Sequence, residues 1–390
     1  MEIGDGAGDD PYGDGRLQTR AKHFILKHYL QALAYKVLRT WDLTYVDGFS
    51  GPWKTETEDF ADTSFMIAIK ALQQAQADLR AEGIHKQVRL FLCERDAEAF
   101  AQLQAAVTPY NRPAEGFEIQ TYGGAFEDAV PRINALIGNS FPLIFIDPTG
   151  WTGFGFENIR SLFNRPKVEV LINFMYAFVS RFVQSDDPPT VASFERILGG
   201  PGWRDRLDPL LSPGLGAEKL FREALKDAGG FPFVLSTRID KSAEESTHFF
   251  LVYGTKSPQG LKTFRDTEAK GLREHAKNRA HARDRREATR TGENSLFQGL
   301  SAEIKEDEMD RAVERNKRDA TRDLLDTLKR DGAYRFDKVV EGLLQAYMLR
   351  EMHIRDICVS LADGGKIENT WGKKPRKPKD GDIIRLIPTP

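Results

Sequence analysis

Apolar positions in the first two thirds of the chain follow two alternating patterns. From Ala21 to Leu38 they recur every three or four residues, the spacing of a helix that is buried on one face. Short apolar runs then alternate with longer helical segments, which is the pattern of a parallel sheet covered by helices. The runs are Leu43–Asp47, Val88–Glu94, Phe117–Tyr122, Leu143–Asp147 and Val168–Phe174.

Two further runs, Phe233–Ile239 and His248–Tyr253, are separated by only a short polar link. A parallel pair would need a crossover helix, so these two runs are expected to form a hairpin that contributes one antiparallel strand. The sequence therefore predicts an α/β fold: a Rossmann-like, seven-stranded, mostly parallel sheet closed by a terminal antiparallel hairpin.

Changes in composition divide the rest of the chain. Residues 1–18 form a Gly- and Asp-rich tail, 19–260 the sheet domain with a helical insertion at 179–230, and 261–332 a charged helical connector. The insertion is expected to act as a lid or substrate wall. Residues 333–390 contain two amphipathic helices and two expected strands, Lys366–Thr370 and Asp382–Leu386, an order that resembles a winged helix.

Composition narrows the class of protein. The chain has 390 residues, of which 40% are hydrophobic, and its formal net charge is −2. No apolar run is long enough to span a membrane and no export signal is evident, so we expect a soluble, cytoplasmic protein. Cys93 and Cys358 are isolated, which disfavours a disulfide framework and predicts two packing residues. Any nucleic-acid contact must come from a local basic patch.

Chemically useful residues follow the first three predicted strands. Open α/β sheets bind ligands at the carboxyl ends of their strands, where glycines also let the backbone approach a ligand closely. An acid after the first strand suits a cationic, amino-acid-bearing ligand, and an acid after the second suits ribose hydroxyls. Ordinary turns and a helix cap are the alternative interpretations. The predicted cofactor-binding residues are Asp47, Gly48, Phe49, Ser50, Gly51, Glu94, Arg95, Gly124 and Ala125.

The fourth predicted strand ends in Asp147-Pro148-Thr149-Gly150-Trp151. This segment resembles the Asp-Pro-Pro-Tyr motif of amino-methyltransferases. The resemblance implies that Asp147 and the Pro148 carbonyl receive hydrogens of a target amine, while Trp151 or Phe154 stacks on its base. Asn173 adds a polar group at the end of the fifth strand. The alternative is a turn with core aromatics.

Taken together, the helix with Lys22-His23, the Tyr45–Pro52 segment, the Glu94 strand, the Asp147 motif and the winged-helix-like end resemble the three-Cys-motif partner family. The resemblance covers Ala21 to Pro388. It implies a class I methyltransferase-like fold, S-adenosylmethionine as cofactor, and a three-Cys-motif partner of the Gp37/Gp68 type in mobile-element or phage-defence contexts. Trp53 stands where the family pattern has a glycine.

The sequence thus predicts an S-adenosylmethionine-dependent methyltransferase, without a metal, that acts on an amine of a nucleic acid or of a partner-bound substrate. The alternative is a non-catalytic nucleic-acid-binding or assembly protein. A hydrolase is disfavoured because neither a Gly-x-Ser-x-Gly motif nor a close His pair is present. The nucleic-acid-binding residues predicted in the C-terminal loop are Lys373, Lys374, Arg376, Lys377 and Lys379.

Overall fold

The computed structural model describes residues 16–51, 60–242, 246–291, 300–372 and 376–388. The chain divides into two compact units between Ser257 and Pro258. Trp53, Lys373 and Lys374 lie outside the described residues.

The first unit is built on one seven-stranded sheet. Its strand order is β3-β2-β1-β4-β5-β7-β6, and β7 alone runs antiparallel to its two neighbours. The predicted sheet, with its terminal hairpin, is therefore confirmed. The strands are β1 (Leu43–Asp47), β2 (Val88–Glu94), β3 (Phe117–Gly123), β4 (Phe141–Ile146), β5 (Glu169–Phe174), β6 (Phe233–Asp240) and β7 (Thr247–Thr255).

Helices cover the sheet because its central strands are apolar on both faces. Val46, Ile144 and Ile172 pack with side chains of α4, α5 and α8 on one face. On the other, Tyr29 of α1 contacts Glu169 and Tyr253. The helices of this unit are α1 (Leu17–Val37), α2 (Ser64–Ala81), α3 (Ala97–Val107), α4 (Phe126–Ile137), α5 (Phe156–Phe163), α6 (Tyr176–Phe182), α7 (Pro188–Glu195) and α8 (Pro213–Gly229).

The strand before the Asp147 motif is displaced from its predicted position. It was expected over Leu143–Asp147 but spans Phe141–Ile146, so Asp147 is the first residue after β4. Pro148 follows and has no N–H to extend the ladder, which explains why the strand ends there. Asp147 therefore begins a loop.

The segment from residue 179 to 230 packs on the sheet. Phe194, Trp203 and Phe221 are buried in the same apolar cluster as the strands. α8 carries the chain back to β6, and Gly230, with a φ of 59°, ends it in the left-handed conformation that glycine favours.

The second unit begins with two long charged helices, which are joined by ion pairs such as Arg273–Asp310 and Lys277–Glu306, both at 2.6 Å. A two-stranded sheet and two short helices follow. Its elements are α9 (Pro258–Thr291), α10 (Leu300–Asp331), β8 (Tyr334–Arg335), α11 (Phe336–Ala346), α12 (Glu351–Asp363) and β9 (Ile383–Ile384).

The expected strand at Lys366–Thr370 is wrong. Only one isolated bridge, between Ile367 and Leu386, occurs there, and β9 pairs with β8 instead. The Asn369 side chain accepts a hydrogen bond from the Gly372 N–H and donates one to the Gly372 carbonyl. This local turn competes with strand pairing. The winged-helix assignment stays a prediction.

Both cysteines are buried and unpaired, as predicted. Among the described residues, no helix combines the length and the apolar character required to cross a membrane.

Candidate active site

The loop after β1 is tied to the strands on both sides of it. The Gly48 N–H donates to the Phe145 carbonyl of β4 at 3.0 Å, and the Ser50 N–H donates to the Cys93 carbonyl of β2 at 2.7 Å. Because β1, β2 and β4 are parallel, their carboxyl ends meet at this edge. The predicted residues after these strands are thereby brought together.

Asp47 lies beneath this loop and is fully buried. Its carboxylate accepts hydrogen bonds from the Phe49 N–H at 3.0 Å and from the Ser64 hydroxyl at 2.7 Å. Thr63 caps α2 by accepting from the Met66 N–H, which places Ser64 in the first turn. Burial raises the pKa of Asp47 to about 6. The carboxylate shapes the loop from behind and lines neither of the cavities described next.

The first cavity has a volume of about 400 Å³ and contains most of the predicted cofactor-binding residues. Glu94, only 3% exposed, is held by the Asp96 N–H, which donates to its Oε1 at 2.6 Å. Burial raises the pKa of Glu94. Asp96 itself caps α3, so the turn after β2 is fixed on both sides. The predicted residues that line this cavity are Gly48, Phe49, Glu94, Arg95, Gly124 and Ala125.

Two of these glycines are required by close aromatic packing. A Cβ on Gly124 would lie 2.7 Å from the Tyr122 ring, and one on Gly48 would lie 3.0 Å from the Phe126 ring. A side chain at either position would require the aromatic ring or the loop to shift. The glycines therefore keep the backbone close to this space.

A second cavity, of about 500 Å³, adjoins the first. Phe49, Asp147, Pro148 and Thr149 line both, so the Asp147 motif is the shared wall. Further lining residues come from the start of α1, the start of α2, the end of β5 and the start of β7. They include Arg16, Thr19, Lys22, His23, Gly51, Asp62, Ser64, Asn173, Met175, His248 and Phe249.

Asp147 has a partner on each oxygen. The Lys22 ammonium contacts Oδ2, and the Asn173 amide donates to Oδ1 at 2.6 Å. The side chains of Lys22 and Asp147 are only 10% and 15% exposed. The other end of the Asn173 amide, Oδ1, is buried and has no hydrogen-bond partner in the described part of the chain, and the same holds for Nδ1 of His248. The second cavity thus contains polar atoms that a ligand can satisfy.

Two histidines at this cavity are poor bases. Burial, with Lys22 and Arg16 nearby, lowers the pKa of His23 well below its usual value. Burial, with Lys241 and Lys22 nearby, also lowers the pKa of His248. Both imidazoles are therefore neutral at neutral pH.

Several predicted residues lie elsewhere. Trp151 lines neither cavity, because its indole N–H donates to the Ser193 hydroxyl at 2.8 Å and its ring stacks on Phe194 at 5.1 Å. Phe154 is buried in the core. Ser50 donates its hydroxyl to the Asp47 carbonyl at 3.1 Å and lines neither cavity. No residue of 179–230 lines these two cavities, unlike the expected lid.

Sequence reasoning missed Lys22 and Ser64 as site residues. Lys22 lies three and four positions before Ile25 and Leu26, so it falls on the buried stripe of α1. A charged residue on such a stripe was the available signal. Ser64 gave no signal beyond its place near a helix start.

The predicted basic loop is only partly described. Arg376, Lys377 and Lys379 are exposed, and Lys377 forms an ion pair with Asp356 at 2.6 Å.

No family model and no curated protein matches the chain. Membership of the three-Cys-motif partner family therefore stays a prediction.

Three solved structures align with parts of the chain at low similarity. A Legionella pneumophila protein of family model DUF519 is 13% identical, with a TM-score of 0.40, covering 67% of this chain and 93% of its own. Spermidine synthase in complex with the transition-state analogue AdoDATO is 14% identical, with a TM-score of 0.33 and coverages of 63% and 62%. Loganic acid methyltransferase with SAH is 9% identical, with a TM-score of 0.30 and coverages of 78% and 92%. None of these similarities identifies a substrate; the seven-stranded, mostly parallel sheet with its one antiparallel strand is Rossmann-like.

Proposed function

We propose that this protein is an S-adenosylmethionine-dependent methyltransferase that acts on an amine of a nucleic acid or of a partner-bound substrate. One observation carries the proposal: a cavity with a buried acid at the β2 end shares the Asp147 motif with a second cavity, which Lys22 and Asn173 also line. Adjacent sites for donor and acceptor are what a direct transfer between two molecules requires.

In this proposal the first cavity holds the cofactor. Glu94 accepts the ribose hydroxyls, Gly124 and Ala125 border the adenine, and Gly48 and Phe49 border the amino-acid end. Asp47 and Ser50 hold the loop in shape from behind. The sulfonium of the bound cofactor supplies an activated methyl group. The chain's own contribution is positioning and the exclusion of water.

The second cavity holds the acceptor. The carbonyl of Pro148 and the carboxylate of Asp147 orient the amine, and the carboxylate takes up the proton that the nitrogen releases after methylation. The unpartnered Oδ1 of Asn173 supports this assignment, since an amine N–H is the donor that it lacks.

Calorimetric titration with S-adenosylmethionine tests the proposal. We expect wild-type protein to bind and Glu94→Gln to bind at least about tenfold more weakly, since it loses one charge-assisted hydrogen bond. Glu98→Gln, an exposed acid on α3, is the matched control and should bind like wild type. Absence of binding to the wild-type protein would refute the proposal.

A non-catalytic nucleic-acid-binding role is the second candidate. It is favoured by the exposed cations Arg376, Lys377 and Lys379 in one short loop. Binding through such a loop would weaken steeply with salt. A gel-shift series over salt concentration tests nucleic-acid binding.

We also propose a three-Cys-motif protein as a partner, which co-purification tests.

A further inference from the structure

The carboxylate that is proposed to orient the amine, that of Asp147, is already paired with a cationic side chain. Lys22 reaches from α1 to Oδ2 of Asp147, and both side chains are nearly buried. A buried ion pair contributes little net stability once the loss of hydration is counted, so a further role for Lys22 is worth testing. The pair lies at the wall that the two cavities share.

We infer that Lys22 is a specificity-determining residue that makes this site accept an uncharged amine, such as one attached to an aromatic ring, and reject an alkylammonium. The inference rests on the proposed function. Lys22 neutralises the carboxylate charge that would otherwise attract an alkylammonium, and its own positive charge opposes a second cation at short range. A neutral amine would meet no such repulsion.

The hydrogen-bonding groups of the cavity fit a neutral amine. A carboxylate has about four lone-pair positions, and Lys22 and Asn173 use one on each oxygen, so Asp147 can still accept from an N–H. Asn173 Oδ1 can accept a second N–H.

The methyl transfer itself is balanced with such an acceptor. The nitrogen lone pair forms the N–CH3 bond, the S–CH3 bond breaks with its electron pair left on sulfur, and the nitrogen releases one proton to Asp147. A protonated alkylammonium has no lone pair and cannot accept the methyl group until it has lost a proton.

Chemical rescue tests the inference without knowledge of the acceptor. The Lys22→Ala variant leaves an alkyl-sized space beside Asp147. We expect 100 mM ethylammonium chloride, compared with 100 mM NaCl, to raise its thermal unfolding midpoint by about 3 °C or more, because a ligand that binds only the folded state stabilises it. Wild-type protein should not respond, and the Lys22→Ala, Asp147→Asn double variant should not respond either.

An equal rise for wild-type and Lys22→Ala protein would overturn the inference, because the site would then admit a cation despite Lys22. So would no rise for Lys22→Ala. If Lys22→Ala does not fold, a double-mutant cycle replaces it. The thermal unfolding midpoints of Lys22→Met, Asp147→Asn and the double variant are then compared with that of wild type. Recovery of the midpoint by the second change supports a charge pair, and additive losses contradict it.

Failure of the proposed function is a separate result. It would appear as a lack of S-adenosylmethionine binding, which leaves the rescue experiment unaffected. If the wild-type protein methylates a nucleic-acid fraction, the same assay is run with poly-lysine as a competing acceptor class. The rate of methyl transfer to nucleic acid, divided by the rate to poly-lysine, should fall at least about tenfold in Lys22→Met. The same quotient should stay near the wild-type value in Lys22→Arg.

Discussion

At the scale of single residues, the burial of the Asp47 carboxyl group makes the free energy of unfolding depend on pH. It is fully buried, and burial raises its pKa to about 6, above the ordinary value of 3.8. The folded protein therefore holds this proton more tightly than the unfolded chain does. Stability contributed by the protonated acid is present below about pH 4 and is lost as the pH rises through 6.

We predict that Asp47→Asn removes this loss. Between pH 4 and 6.5, the free energy of unfolding of wild type should fall by up to roughly 3 kcal/mol relative to the variant. Urea unfolding across this range measures it, with Asp128→Asn, an exposed acid of α4, as the control. If the free energies of unfolding of Asp47→Asn and wild type vary with pH in parallel, burial does not raise the pKa of Asp47.

At the scale of elements, the insertion acts as part of the core. Phe221 of α8 packs its ring against Phe174 at 4.8 Å and against Phe156 at 5.2 Å. It thereby joins α8 to β5 and α5. The stability of this face of the sheet should depend on that ring.

We expect Phe221→Ala to lower the free energy of unfolding by about 3–5 kcal/mol, because a large buried ring leaves a cavity. Phe178→Ala, which removes a ring that is 37% exposed, should cost far less. Urea denaturation compares the two variants. Similar losses in both would mean that α8 does not anchor this face.

The elements also show which parts of the fold and of the candidate site the sequence pattern predicts. The runs that became β1 and β2 were predicted with their observed bounds, because strands buried on both faces leave a continuous apolar signal. The Lys22–Asp147 contact joins residues far apart in sequence, and nothing local encodes it. Trp151 failed to line a cavity for a similar reason, since its partner Ser193 lies in a later helix. Asn369 shows the converse, a local turn that replaces an expected strand.

At the scale of the whole molecule, the two units should respond separately to core changes. In the second unit, Arg265 is buried, donating to the Leu344 carbonyl at 2.8 Å and to Glu268 at 2.5 Å. Glu268 is fully buried as well. Removing Arg265 would leave a buried carboxylate without this partner.

Arg265→Met should therefore lower the stability of the second unit by about 3–5 kcal/mol and leave the first unit unchanged. Scanning calorimetry of the full chain, with the Phe221→Ala variant used to identify the transition of the first unit, would separate the two. Arg330→Met, an exposed member of an ion pair, should shift neither transition. A common shift of both transitions would mean that the units unfold as one.

The position of β7 has a consequence for synthesis on the ribosome. β7 is inserted between β5 and β6, and its His248 and Phe249 line the same cavity as Lys22 of the first helix. The cavity cannot be complete until the chain beyond β7 has emerged, a delay on the order of tens of seconds at about 5–20 residues per second. During that interval Lys22 and Asp147 exist without the rest of their enclosure. The second cavity is therefore completed only when β7 has joined the sheet.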